Sequence, residues 1–212
     1  MPPKPKYTRD EVIQAAFELT EKKGILNVTA RDVGRRLGTT PTPIFTYFSG
    51  MDELKEAVYQ KALRESTDYI SECINYTPAF KEFGLRWIRY AYEHPNIYRM
   101  VYLFEGVQKP VIGFVNGDLV DALKPMKYEV MNYFKLGDEQ ARILVNEMLI
   151  YAQGIATLCI QTEEYNEDNV NLSIGRVCVS LVNGLKLEER NIDVEAAMNM
   201  MQHLADYPKR IK

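Results

Sequence analysis

Cysteine, histidine and tryptophan are all scarce in this 212-residue chain, at three, two and one. The three cysteines, Cys73, Cys159 and Cys178, are odd in number, far apart and without metal-ligand spacing. That pattern excludes a disulfide framework and suits a reducing cytoplasm, the expected location. His94 and His203 belong to no spaced set of His, Cys or carboxylates, so no metal site is expected. His94, beside Pro95, reads as a helix C-terminal residue suited to the dipole rather than as a general base. A glycine-rich phosphate loop, a serine elbow and a Cys-His constellation are also missing, so neither a catalytic residue nor a cofactor is expected. Behind the N-terminal Met1, Pro2, Pro3, Lys4, Pro5 and Lys6 there is no apolar run, which argues against a signal peptide. No uninterrupted apolar run reaches the ~18 residues of a membrane span, so no membrane partner is expected. Nothing alternates at period two, and the fold class expected is all-α.

What the chain does have is apolar content, 46% hydrophobic, enough for one large or two small buried cores. Its net charge of -3 argues on its face against a nucleic-acid partner. The distribution reverses this. Residues 1–50 hold eight Lys or Arg against five Asp or Glu, leaving 18 basic and 24 acidic residues in the remaining 162. Lys4, Lys6 and Arg9 form a short basic arm, and Arg31, Arg35 and Arg36 follow where phosphates would approach.

Between Val28 and Phe48 the chain reads VTARDVGRRLGTTPTPIFTYF, two short helical patterns joined by a glycine turn. Thr29 caps the first, with Asp32 three residues on closing a capping box, and Val33 and Leu37 share one face. Gly38 ends that helix in the left-handed conformation a sharp turn requires. The second helix is expected to start with Thr40 as N-cap and Pro41 as first residue, Ile44 and Phe48 packing back on Val33 and Leu37. Pro43 disfavours helical geometry at Thr42, so the onset is left between Pro41 and residue 43. Thr42, Thr46 and Tyr47 remain on the outward face. The pattern reads as a helix-turn-helix of the kind expected to contact DNA. A preceding helix from about Thr8, capped through Glu11, to Lys23 supplies Val12, Ile13, Ala16, Phe17 and Leu19 as its roof.

Taken together, residues Thr8 to Leu54 resemble the N-terminal domain of the TetR family of bacterial transcriptional regulators. The resemblance is carried by the order of parts: Ala15, Ala16 and Phe17, then Lys23 and Gly24, then Thr29, Arg31, Asp32, Val33, Leu37 and Gly38, an aromatic-rich reading helix, and Asp52, Glu53 and Leu54. It implies a helix-turn-helix domain over 1–50 and a helical ligand-binding and dimerisation domain over 51–212. It further implies a two-fold homodimer on a double-stranded DNA operator, released by a small apolar or aromatic effector. The expected DNA contacts are Thr42 and Thr46 at base edges and Lys4, Lys6, Thr29, Arg31, Thr40, Pro41 and Pro43 along the backbone path. The family usually places a tyrosine at the position of Phe45 and a lysine at that of Met51, and both reach phosphates. A phenylalanine has no hydroxyl and a thioether no charge, so those contacts are missing or moved to Tyr47 and Lys55.

Beyond the motif, Ser49 and Asp52 are expected to cap a helix running to about Asn75, with Leu54, Val58, Ala62, Tyr69 and Ile70 inward. Thr77 and Pro78 start the next, ending near His94, and a shorter one spans Asn96 to Glu105. Later helices are expected at about 115–135, 138–163, 168–187 and 193–206. The segment WIRYAYEHPNIYRMVYLF is dense in aromatics, and Trp87, Tyr90, Tyr98, Tyr102 and Phe104 in it, with Met100, are expected to wall a ligand pocket. Phe114, Met126, Met148 and Tyr151 are further candidates, since flexible thioethers suit varied apolar ligands. Ile143, Leu144, Leu149, Ile150, Leu158, Ile174, Val177, Leu181 and Leu185 on the two long helices suit a four-helix dimer interface, or an intramolecular core. Two functions stay open: a ligand-released repressor, and a helical small-molecule binder with weak or lost DNA binding. A helical enzyme has no residues to carry it.

Overall fold

Local signals open the first helices. The computed structural model describes residues 7–107 and 124–188, in eight α-helices with three short 3-10 turns between them. Helix α1, Arg9–Lys23, starts at Thr8, whose hydroxyl and the Glu11 carboxylate close a reciprocal capping box. Helix α2, Ala30–Arg36, repeats the device with Thr29 and Asp32. Each box satisfies two amides that a helix start leaves orphaned. Val12, Ala16, Val33, Ile44 and Phe48 are all buried, which joins α1, α2 and the following turn into one small core.

Two expectations at the junction change. Helix α3, Met51–Ser71, begins at Gly50 with no side-chain cap, and Ser49 bonds Glu53 in place of Asp52, through both its amide (2.7 Å) and its hydroxyl (2.8 Å). The carboxylate that reaches back is the one a full turn along. The helix also ends earlier than Asn75, tightening into a 3-10 turn over Glu72–Asn75. Its inward face is as expected: Leu54, Val58, Ala62 and Ile70 are buried.

Helix α4, Ala79–Glu93, has no capping side chain of its own, because Pro78 stands at its N-cap. Its first amides, on Ala79 and Phe80, donate instead to the two oxygens of Glu129, at 2.9 and 2.7 Å. Glu129 belongs to α6, Lys124–Phe134, and the bond ties two helices distant in sequence. Between them lies α5, Pro95–Tyr102, which starts at the proline rather than at Asn96. The long α7, Asp138–Thr162, and α8, Glu167–Glu188, complete the bundle. The helix expected at 115–135 is present over Lys124–Phe134, its part before residue 124 lying, like the helix expected at 193–206, outside the described residues.

Among the described residues α7 is long and apolar enough to cross a membrane, but it packs as the central helix of the bundle. Leu144, Val145, Met148, Leu149, Ala152 and Ala156 face α4 and the other helices, and all are buried. The Arg86 guanidinium, also buried, bonds the Tyr69 carbonyl at 2.7 Å and pairs with Glu72 at 2.9 Å, clamping α4 to the far end of α3.

Candidate DNA-reading surface and ligand cavity

The turn between the two helical patterns depends on two glycines for different reasons. Gly38 has φ +68, the left-handed conformation that a Cβ disfavours. Gly34 has an ordinary helical backbone, but a Cβ there would lie 2.9 Å from the Thr39 carbonyl oxygen and from the Thr40 carbonyl carbon. Thr39 also donates its amide to the Gly34 carbonyl at 2.8 Å, so the chain folds back directly over that residue. Sequence reading did not single out Gly34, since nothing local distinguishes a glycine inside a helix that another backbone touches.

The reading element itself differs from expectation. Over Thr42–Thr46 it is a 3-10 helix following Pro41, rather than an α-helix capped by Thr40. The cause is the pair of prolines, which removes the amides of residues 41 and 43 and disfavours helical geometry at Thr42. In a 3-10 helix side chains three apart eclipse, which sets Thr42 with Phe45 and Pro43 with Thr46. Thr42, Phe45 and Thr46 are all exposed, Phe45 at 47%, so the outward face carries a phenyl ring as well as two hydroxyls. Ile44 and Phe48 point inward and are buried.

Tyr47 is half-buried, and its hydroxyl donates to the Tyr7 carbonyl at 2.6 Å. The Tyr7 hydroxyl in turn donates to the Leu37 carbonyl. This pair straps the start of the chain across the head and engages a hydroxyl expected at a phosphate. Arg31 and Arg35 are exposed on α2, while Arg36 pairs with Glu18 of α1. Lys23 pairs with Asp32 at 2.7 Å, and bonds from Lys23 and Thr29 hold the Asp32 carboxyl well below the usual carboxylate range. Thr29 is therefore engaged as a cap. Thr40 is exposed, Pro41 and Pro43 partly so. Lys55 lines a polar recess of about 480 Å³ with Asp52, Glu56, Gly106 and Val107. Lys4 and Lys6 lie outside the described residues.

In the C-terminal half the aromatic segment is core. Trp87, Tyr90, Tyr98 and Met100 are buried. The indole of Trp87 donates to the Tyr98 hydroxyl at 2.6 Å and to Gln153 at 3.1 Å, and Tyr98 donates to the same Gln153 oxygen. Burial pushes the Tyr98 and Tyr90 hydroxyls up, and raises Tyr102 to about 12. Tyr102 donates to Ser66 of α3 at 3.0 Å. The polar tips of Trp87, Tyr98 and Tyr102 find partners inside the bundle, as buried tyrosine and tryptophan require. Phe104 is half-buried at φ +57 in the loop after α5, and Met126 is buried in α6. Tyr151 joins α7 to α8 through the Ser173 hydroxyl at 2.5 Å. Phe114 lies outside the described residues.

A cavity of about 260 Å³ lies elsewhere, between α4, α6, α7 and α8. Its lining includes Phe80, Phe83, Val130, Tyr133, Phe134, Leu149, Ala152, Ile174 and Cys178, with Glu129 and Asn171 as polar members. Of the ligand residues expected from sequence that are among the described residues, Met148 alone is in that lining. Most of the others lie in the aromatic-dense segment, whereas this space forms where α4 meets the later helices α6, α7 and α8. Glu129 and Phe134 carry no local mark that could have singled them out.

The outer faces of α7 and α8 divide the interface candidates. Leu144, Leu149, Ile174 and Leu185 are buried within the chain, while Ile150 and Leu158 are half exposed, at 50% and 58%. Leu172 and Val179 of α8, exposed at 53% and 55%, extend the same apolar surface.

Comparison with known proteins agrees with this geometry. Residues 12–58 match the family model described as bacterial regulatory proteins, tetR family. Among solved structures, the chain is similar to a tetR-family transcriptional regulator from Streptomyces coelicolor, with 15% identity and a TM-score of 0.62, over 93% of this chain and 88% of that one. It is also similar in fold to the superantigen PfiT, with 18% identity and a TM-score of 0.50, over 84% and 97%. No curated protein matches the sequence significantly.

Proposed function

We propose that this chain, a DNA-binding transcriptional regulator of the TetR family, is a cytoplasmic repressor that leaves its operator when a small apolar or aromatic ligand fills the cavity beside α6. The observation that carries the reading is the exposed Thr42, Phe45 and Thr46 face on a head whose core, caps and turn are complete. Two copies meet through the apolar surface of Ile150, Leu158, Leu172 and Val179, since exposed apolar area of this size on two paired helices favours association. A reader of this type needs two recognition elements ~34 Å apart to meet successive major grooves. Thr42 and Thr46 approach base edges, Phe45 suits a thymine methyl, and Arg31, Arg35 and the basic arm of Lys4 and Lys6 meet phosphates. Thr29, Thr40, Pro41, Pro43, Tyr47 and Lys55 support that surface or flank it.

Several bonds join the head to the ligand half and give the cavity a route to it. His94 bonds Glu21 of α1 at 2.8 Å, and Asn96 donates to the Glu21 carbonyl at 2.9 Å. A Cβ on Gly106 would stand 2.8 Å from Ile25 and Leu26, so the loop after α5 rests on the turn before α2. Arg86 and Tyr102 hold α3 from the other side. A ligand can shift the spacing of the heads only by binding the two spacings unequally. The test is ligand affinity measured with and without operator. Weaker ligand binding in the presence of operator is expected, and equal affinity would rule out release by that ligand.

One observation favours a second reading, a ligand binder with weak DNA affinity. Phe45 and Met51 lack polar groups, and the Tyr47 hydroxyl is engaged by Tyr7. Phe45→Tyr with Met51→Lys separates the two, creating DNA binding under the second reading and strengthening it under the first.

A further inference from the structure

The chemistry of the cavity wall narrows the class of molecule that can fill it. Four aromatic rings, Phe80, Phe83, Tyr133 and Phe134, share the lining with the Glu129 carboxylate. The Ala79 and Phe80 amides fix this carboxylate at 2.9 and 2.7 Å. Two carboxylate oxygens offer about four acceptor sites, so lone pairs are left for a further donor. Lys81 also touches the lining, but it is exposed, so its ammonium stays in water while its alkyl stem covers the rim.

Ligand charge decides among three cases. An anion would face a fixed carboxylate, and the first amides of α4, which would suit it, are already engaged by that carboxylate. A neutral apolar molecule would gain burial alone. A cation with an apolar body gains burial, the attraction of aromatic ring faces, and an opposite charge in a water-poor site.

Resting on the reading of this cavity as the effector site, we propose that it binds a lipophilic cation, a compact amine with an aromatic or branched aliphatic body, held among the four rings with its charge toward Glu129. A volume of about 260 Å³ is at the small end of ligand pockets, which favours compact amines over large dyes.

Three probes with one body and three charges test this: para-tert-butylbenzylamine, para-tert-butylbenzyl alcohol and para-tert-butylbenzoate, titrated by calorimetry into the full chain without DNA. The amine is expected to bind about tenfold tighter than the alcohol, and the benzoate weakest. Glu129→Gln keeps an oxygen for only one of the two α4 amides, so it is read as a ratio within the variant: the preference for the amine over the alcohol should be abolished. Tyr133→Leu removes a ring that is 76% exposed and whose described ring contact is the edge of Phe134 at 4.9 Å. It should weaken the amine about threefold. An alcohol or benzoate that binds as tightly as the amine, or a preference that survives Glu129→Gln, overturns the cation site while leaving an apolar effector site standing. If none of the three binds, the cation site and the effector reading fall together.

Discussion

The caps of the two halves of this chain differ in reach, those of α1 and α2 being local and that of α4 distant. In the reading head the caps join residues three apart: Thr8 with Glu11 and Thr29 with Asp32. In the C-terminal half, Glu129 caps a helix that begins fifty residues earlier, and Trp87 bonds Gln153 across 66 residues. A surface made of local devices is already visible in the order of amino acids. A cavity made where distant helices meet is visible only after folding.

The sharpest break between the halves should come at the subunit contact. Ile150→Glu with Leu158→Glu places two charges on the exposed apolar face of α7 without touching the monomer core. Sedimentation is expected to show monomers, and operator affinity should fall by about 100-fold or more, because the second half-site no longer adds effective concentration. Ligand affinity in the cavity should change little. A variant that stays dimeric would move the interface elsewhere.

Within the head, Gly34→Ala pushes a methyl to 2.9 Å from the backbone at Thr39 and Thr40. Overpacking of this kind costs about 1–3 kcal/mol. Thermal denaturation and operator binding should both suffer. Gly38→Ala, where a Cβ meets nothing within 4 Å, is a milder change that strains only the backbone. Thr46→Ala, on the exposed face, should leave stability intact and cost about 1–2 kcal/mol of operator binding, with relaxed preference at one base pair.

Smaller effects sharpen the comparison from both sides. Phe45→Tyr with Met51→Lys should steepen the dependence of log affinity on log salt by about one per subunit, as the one new ammonium releases a counterion. An unchanged slope would mean these positions do not reach the DNA backbone. In the ligand half, Trp87→Phe removes the indole donor to Tyr98 and Gln153, while those two remain bonded to each other. It should lower stability by about 1 kcal/mol and leave both DNA and cavity binding unchanged. A large loss of ligand affinity would return the aromatic segment to the binding site.

The sequence alone made legible the all-α class, the head from Thr8 to Leu54, both capping boxes and the left-handed Gly38. It also placed the inward faces of α1 and α3, since a 3.6-residue period survives without knowledge of neighbours. It did not reveal that two prolines would tighten the reading element into a 3-10 helix and turn Phe45 outward. Nor did it show Tyr7 strapping Tyr47, because a tyrosine forty residues away bears no local signal. Aromatic density at Trp87 to Phe104 marks a core in which Tyr98 and Tyr102 bond neighbouring helices. The cavity drew its walls from Phe80 and Phe83 on one helix and Tyr133 and Phe134 on another. The apolar residues of the two long helices suit either an interface or a core by sequence, and exposure divides them, with Leu144 and Leu149 inside and Ile150 and Leu158 outside.

DNA reading is tested most directly by selecting binding sites from a random pool of duplexes and measuring affinity for the winner across a salt series. An inverted repeat with half-sites about one helical turn apart is expected, with a log affinity that falls steeply with log salt. No enriched sequence, with weak binding even at low salt, would overturn the repressor reading and leave a helical ligand binder whose head no longer reads DNA.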